Sequence, residues 1–189
     1  MNIYILRHED RTQDCSFYSP LTKKGLENSI KLIDTLEKCK INVIYSSPFI
    51  RTLQTIYPYA KNEDIKINLE YGISEIHHED LIPKKAYGMY LPEYMAELFN
   101  YNPEYKSIMK PTEITFPEKE IDVKKRTKRV LRSIVNKYMN TDINILIVTH
   151  QIVCTSILKI NNPEIQNYEK GWLTKIIDNS GWNIKPVNY

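Results

Sequence analysis

Two hydrophobic periods alternate along the chain. Short apolar stretches with strand character, "NIYIL", "NVIYSS", "IKINLE" and "NILIVTH", are separated by segments whose apolar residues recur every three or four positions. "LTKKGLENSIKLIDTLEKC" reads as an amphipathic helix with Leu26, Ile30, Ile33 and Leu36 on its inward face. Ser47 and Pro48 offer an N-cap and a first-turn proline for a second helix, "FIRTLQTIYPYA". A third spans roughly 121 to 139, with Val123, Thr127, Val130, Leu131, Ile134 and Tyr138 inward, and "QIVCTSILKI" is a fourth. The tail, "GWLTKIIDNSGWNIKPVN", reads as two strands joined by a turn at Asn179-Ser180-Gly181. Residues 77 to 118 are rich in Tyr and Pro with weak periodicity, which predicts short helices mixed with loops.

Strands alternating with helices predict an α/β fold, a three-layer α/β/α sandwich around a mostly parallel sheet. The 189 residues suit a single domain over 1–189, with 77–118 as a cap over a pocket. Ligands of such sheets gather beyond the carboxyl ends of the strands. Strand one ends at Arg7-His8, "ILIVT" ends at His150, and Arg51 lies in the first turn of the helix leaving the second strand. If those strands are parallel neighbours, two histidines and two arginines share one edge with a helix N-terminus, a pocket for a dianion.

Composition narrows the alternatives. An apolar content of 42% and a charged content of 26% are ordinary for a soluble protein, and no apolar run approaches a membrane span. No leader pattern is present and the three cysteines are scattered, so the expected setting is cytoplasmic, with reduced thiols and no membrane partner. The net charge of +3 is too mild to announce nucleic-acid binding. Lysine outnumbers arginine 20 to 6, so arginines retained at Arg7, Arg11 and Arg51 hint at a role for the planar fork.

"LRHEDR" resembles the arginine-histidine-glycine motif of the histidine phosphatase superfamily, the phosphoglycerate-mutase-like fold. "YSSPFIRTLQT" is similar to that family's second motif and "ILIVTHQIV" to its third, in family order. Within the superfamily the chain most resembles the branch of the suppressor-of-T-cell-signalling phosphatases and ecdysteroid-phosphate phosphatase. There the first motif continues to a second arginine, matched by Arg11, and "LEYGISEIHHED" places the branch's acidic residue at Glu75.

The resemblance implies a metal-independent phosphomonoesterase with no cofactor. His8 would be the nucleophile, Arg7, Arg11, Arg51 and His150 would hold the phosphate, and Glu75 would give the leaving oxygen its proton. Its substrate would be a small-molecule or protein phosphomonoester, and the related branch leaves room for a homodimer. The tyrosines Tyr87, Tyr90, Tyr94 and Tyr105 suggest an aromatic leaving group.

Two positions depart from the motifs. Glu9 stands where the family has glycine, adding bulk and negative charge and raising the question of backbone torsion. Gln151 stands where the third motif often has glycine. Glu9 sustains an alternative, a catalytically impaired protein that binds phosphorylated ligands. A phosphoglycerate-mutase-type phosphotransferase is a further one, although the basic, tryptophan-containing insertion of mutases is not found. Arg11 could instead pair with Asp10 or Asp14, and Glu70, Glu79 and Asp80 lie close to Glu75. "HHED" at 77–80 lacks the spacing of a metal site, so no metal is expected. The basic run at 124–132 is expected on a solvated helix face, with no nucleic-acid partner. Cys15 has no base placed to activate it, and no phosphate-binding glycine loop is present.

Overall fold

The computed structural model describes residues 1–14, 16–80, 90–159, 168–178 and 181–187. Six strands, β1 (Asn2–Arg7), β2 (Val43–Ser46), β3 (Ile67–Leu69), β4 (Asn144–Thr149), β5 (Leu173–Asp178) and β6 (Gly181–Pro186), form one sheet in the order β3-β2-β4-β1-β5-β6. The β3-β2, β2-β4 and β4-β1 pairs are parallel, and β5 and β6 complete the sheet antiparallel. Helices α1 (Lys23–Cys39), α2 (Ile50–Asn62), α4 (Glu120–Tyr138) and α5 (Gln151–Leu158) cover it, and α3 is one short turn (Glu93–Ala96).

The period of two along β1 and β4 builds two cores. Tyr4, Leu6, Leu146 and Val148 face α1 and α2, with Leu32, Leu36, Leu53 and Ile56 packed on them. Ile3, Ile5, Ile145 and Ile147 face α4 and α5, against Val123, Val130, Ile134, Val153 and Ile157. Both faces are therefore apolar, as the near-continuous apolar runs require. Each fully buried Leu or Ile contributes about 1.5–3 kcal/mol to folding. Among the described residues no helix is long and apolar enough to cross a membrane.

The inward face of α1 differs from the expected one. Leu26 and Ile30 are exposed, while Gly25, Ser29, Leu32 and Leu36 are buried. Small residues turn inward because the helix start lies against the chain after His8: a Cβ on Gly25 would sit 2.1 Å from the Asp10 carbonyl oxygen. Thr22 fixes that contact, its hydroxyl capping the Gly25 amide at 3.1 Å and its own amide donating to Asp10 O at 2.9 Å. The inward face of α4 is the expected one with one addition, Arg126.

Glu70 anchors residues 105–109, which belong to the segment expected as a cap. Its buried carboxylate accepts from Tyr105 Oη, Ser107 Oγ and the amides of Gly72 and Ile108 at 2.7–3.0 Å.

Candidate active site

β1 and β4 end side by side, and each hands its next residue to the same edge. His8 follows β1 and is 3% exposed. Its Nδ1 lies 2.7 Å from the Glu9 carbonyl oxygen. A carbonyl can only accept, so Nδ1 carries the hydrogen and Nε2 the lone pair. Burial first, then the Arg51 cation, hold the imidazole well below the usual histidine range, and it is neutral at physiological pH.

His150 follows β4 as the N-cap of α5 and is fully buried. Its ring centroid is 5.3 Å from that of His8, and its Nε2 is 2.8 Å from Ser47 Oγ. Burial and Arg51 depress this imidazole too. Ser47 is thus not the cap expected of it. The N-cap of α2 is Phe49, without a side-chain hydrogen bond, and the Ser47 hydroxyl is turned to the second histidine.

Arg51, 3% exposed, projects from the first turn of α2. One guanidinium nitrogen donates to Ser16 O at 3.0 Å, another lies 3.5 Å from Glu75 Oε2, and the group rests 4.6 Å over the Phe49 ring. Glu75 Oε2 is also 3.5 Å from His150 Nδ1. Of the nearby acids, only Glu75 is joined to the cluster by a described contact, since Glu70 is committed to its own amides while Glu79 and Asp80 are exposed. Arg7 donates to Tyr168 O at 2.5 Å. Arg11 forms an isolated antiparallel bridge with Leu21 and its side chain donates to Thr12 O at 2.6 Å, and its charge is among those that depress His8. The arrangement sets a neutral imidazole lone pair among guanidinium cations and the N-termini of α2 and α5, which suits attack on an anion held there.

The Glu9 side chain turns away from this cluster. Asn28 of α1 donates to its carboxylate at 3.2 Å, and its backbone amide donates to Thr55 Oγ1 at 3.0 Å. Glu9 is not among the residues of positive φ, so the motif's glycine position needs no special torsion here. Gly171, at φ +71°, makes room: a Cβ there would meet Glu9 Oε1 at 2.1 Å. Burial raises the Glu9 carboxyl above the usual range.

Arg126, expected on the solvated face of the basic run, is instead 4% exposed and paired with Glu118. Its side chain reaches the backbone carbonyl of Glu75 at 3.0 Å. The sequence carried a signal for this: position 126 falls within the apolar stripe of Val123, Thr127 and Val130. His77 is buried while His78 is exposed beside Asp80, so the two point into different surroundings. Of the four tyrosines, Tyr90 and Tyr94 are exposed, Tyr105 is tied to Glu70, and Tyr87 lies outside the described residues, as does Cys15. A cleft of about 670 Å³ runs outward from Glu75 between α4 and α5, lined by Ile76, Ile121, Lys124, Gln151 and Ile152.

Comparison with known proteins agrees with this geometry. Residues 4–184 match the model of the histidine phosphatase superfamily (branch 1). Ecdysone phosphate phosphatase from Bombix mori, solved with tungstate, superposes with a TM-score of 0.72 at 15% identity, covering 97% of this chain and 91% of that one. YhfR from Bacillus stearothermophilus gives 0.70 at 22% identity over 98% and 95%. The alpha-ribazole phosphatase of Shigella flexneri gives 0.68 at 17% over 100% and 96%. Among curated proteins, the transcription factor tau 55 kDa subunit of Saccharomyces cerevisiae is 28% identical over 163 residues, 80% of this chain but 37% of its own length. The chain thus spans little more than a third of that relative. With its three motifs, its sheet-edge cluster and the family match in accord, the chain belongs to branch 1 of the histidine phosphatase superfamily.

Proposed function

We propose that this chain, a phosphatase by family, is a metal-independent phosphomonoesterase that works through a phosphohistidine on His8. The observation that carries the reading is the hydrogen bond from His8 Nδ1 to Glu9 O, in a buried imidazole kept neutral beside Arg51. It presents Nε2 as the nucleophile in one tautomer and one orientation. Nε2 attacks phosphorus as the ester P–O bond breaks, and the leaving oxygen takes a proton from Glu75. A water then gives its proton to Glu75 and attacks phosphorus, the P–N bond breaks, and phosphate leaves. Arg7, Arg11 and Arg51 offset the charge on the equatorial oxygens, and His150, steadied by Ser47, donates a hydrogen bond to one of them. The isoleucine-lined cleft beside Glu75 accommodates an apolar or aromatic leaving group.

Likeness to a transcription-factor subunit favours a second reading, in which the pocket holds a phosphorylated ligand without turnover. The first reading stands ahead of it because His8, Arg51, Glu75 and His150 are all present and mutually in reach. Hydrolysis of 4-nitrophenyl phosphate in excess EDTA, from pH 5 to 8, separates them. Activity in the wild type that is lost in His8→Ala supports the esterase. A folded wild type inert toward aryl phosphates, yet binding phosphate through Arg51, supports the second reading.

A further inference from the structure

Glu75 sits in a short stretch of chain, residues 74–78, that has no strand or helix of its own. Its carboxylate nevertheless has one orientation, with Oε1 accepting from the Ile76 amide at 3.1 Å and Oε2 turned to Arg51 and His150. The restraint comes from the far side. Arg126 Nε and Nη2 clasp the two oxygens of Glu118 at 2.7 and 3.0 Å. Nη1 donates to Gly72 O at 2.9 Å, and Nη2 also donates to Glu75 O at 3.0 Å. Glu118 in turn accepts from the His77 amide and donates its own amide to His77 O, both at 2.8 Å. Backbone groups on both sides of Glu75 are thus held by one buried ion pair, 4% and 3% exposed.

A pair this deeply buried is a weak source of stability, because desolvation offsets most of its attraction. What it supplies is direction: a planar guanidinium fixed by a bidentate carboxylate offers its remaining hydrogens at set angles. The geometry points to Arg126, locked by Glu118, as a positioning residue that aims Glu75 at the leaving oxygen. This rests on the reading of Glu75 as the proton donor. It also limits where the effect appears. Proton donation matters most when the leaving group is a poor one, an alkoxide, and least for a nitrophenolate, which departs without help.

The test compares a simple alkyl phosphate with 4-nitrophenyl phosphate for wild type, Arg126→Lys, Glu118→Gln and Glu75→Gln, with thermal unfolding recorded for each. Misplacing a catalytic group by about 1 Å costs on the order of 100-fold. Arg126→Lys should therefore lower kcat on the alkyl ester by about 10- to 100-fold and on the aryl ester by less than about threefold. Glu118→Gln, nearly isosteric, should show the same selectivity to a smaller degree, and it decides the matter if Arg126→Lys does not fold. Glu75→Gln should show it most strongly. If Glu75→Gln is selective but the folded Arg126 and Glu118 variants lose both activities equally, or neither, Arg126 is only structural and the proposal is overturned. A Glu75→Gln that loses both equally, or a wild type inert toward both esters, removes the reading of the site and this inference with it.

Discussion

Acid should destabilise this protein in part through a single side chain, His77. Its imidazole is 6% exposed, and neither ring nitrogen has a hydrogen-bond partner among the described residues. Protonation would place a second cation near Arg126 in a water-poor setting, opposed by Glu118. Burial first, and Arg126 second, bring its pKa from 6.5 down to about 4. Between those values the unfolded chain binds a proton that the folded one refuses. Stability therefore falls as pH falls below about 6.5, by about 1.4 kcal/mol per unit from this group. At pH 4.5 the loss relative to pH 7.5 is roughly 2–3 kcal/mol, and it levels off below pH 4. His8 and His150 are depressed in the same direction, so the wild-type slope contains their share. His77→Leu isolates the contribution, since it removes the titration and leaves no orphaned nitrogen. Urea unfolding followed by tryptophan fluorescence at pH 7.5, 6.5, 5.5 and 4.5 gives the two slopes. The variant should be at least as stable as wild type at pH 7.5 and lose roughly 2–3 kcal/mol less by pH 4.5. Parallel slopes for the two proteins would refute the reasoning.

Two further predictions concern Glu9. Glu9→Gly should leave kcat/KM for an aryl phosphate within about threefold and destabilise by about 1 kcal/mol, mainly through added backbone freedom; a tenfold rise in activity would mean that its charge does press on the pocket. Gly171→Ala puts a methyl on the Glu9 carboxylate at a left-handed backbone position and should cost more than the 1–2 kcal/mol, roughly, of the torsion alone. Adding Glu9→Gly should return the steric part in a double-mutant cycle, and purely additive losses would show that the two residues do not touch.

Much of the fold and most of the site can be read from residue order alone. The stretches "NIYIL" and "NILIV" are apolar at every buried position because both faces of their strands are covered, so β1 and β4 are plain in the sequence. His8, Arg51 and His150 follow because strand ends and a helix start in a parallel sheet must share an edge. Other features depend on contacts between distant segments. Gly25 and Ser29 face inward because Asp10 needs a close approach, which an apolar count over α1 cannot register. Ser47 looks like a helix cap until His150, far along the chain, claims its hydroxyl. Arg126 lies on the buried stripe of α4, but a charge there makes sense only once Glu118 and the Glu75 loop are known to meet it. The harmlessness of Glu9's torsion and direction likewise depends on Asn28 and Gly171, neither of them near it in sequence.

The strand order has a consequence for how the molecule comes to exist. β1 is made long before both of its ladder neighbours, β4 and β5, which come from residue 144 onward. During synthesis the "NIYIL" segment emerges with two bare edges and no partner, the state in which apolar strands tend to pair with the wrong chain. Closing such distant pairs is also slow. A ribosome stalled before β4 would hold His8 without His150 beside it to form a pocket. The pocket at the sheet edge therefore assembles only once β4 has been made, and the yield of folded protein in a cell should respond to chaperone supply more sharply than its equilibrium stability would suggest.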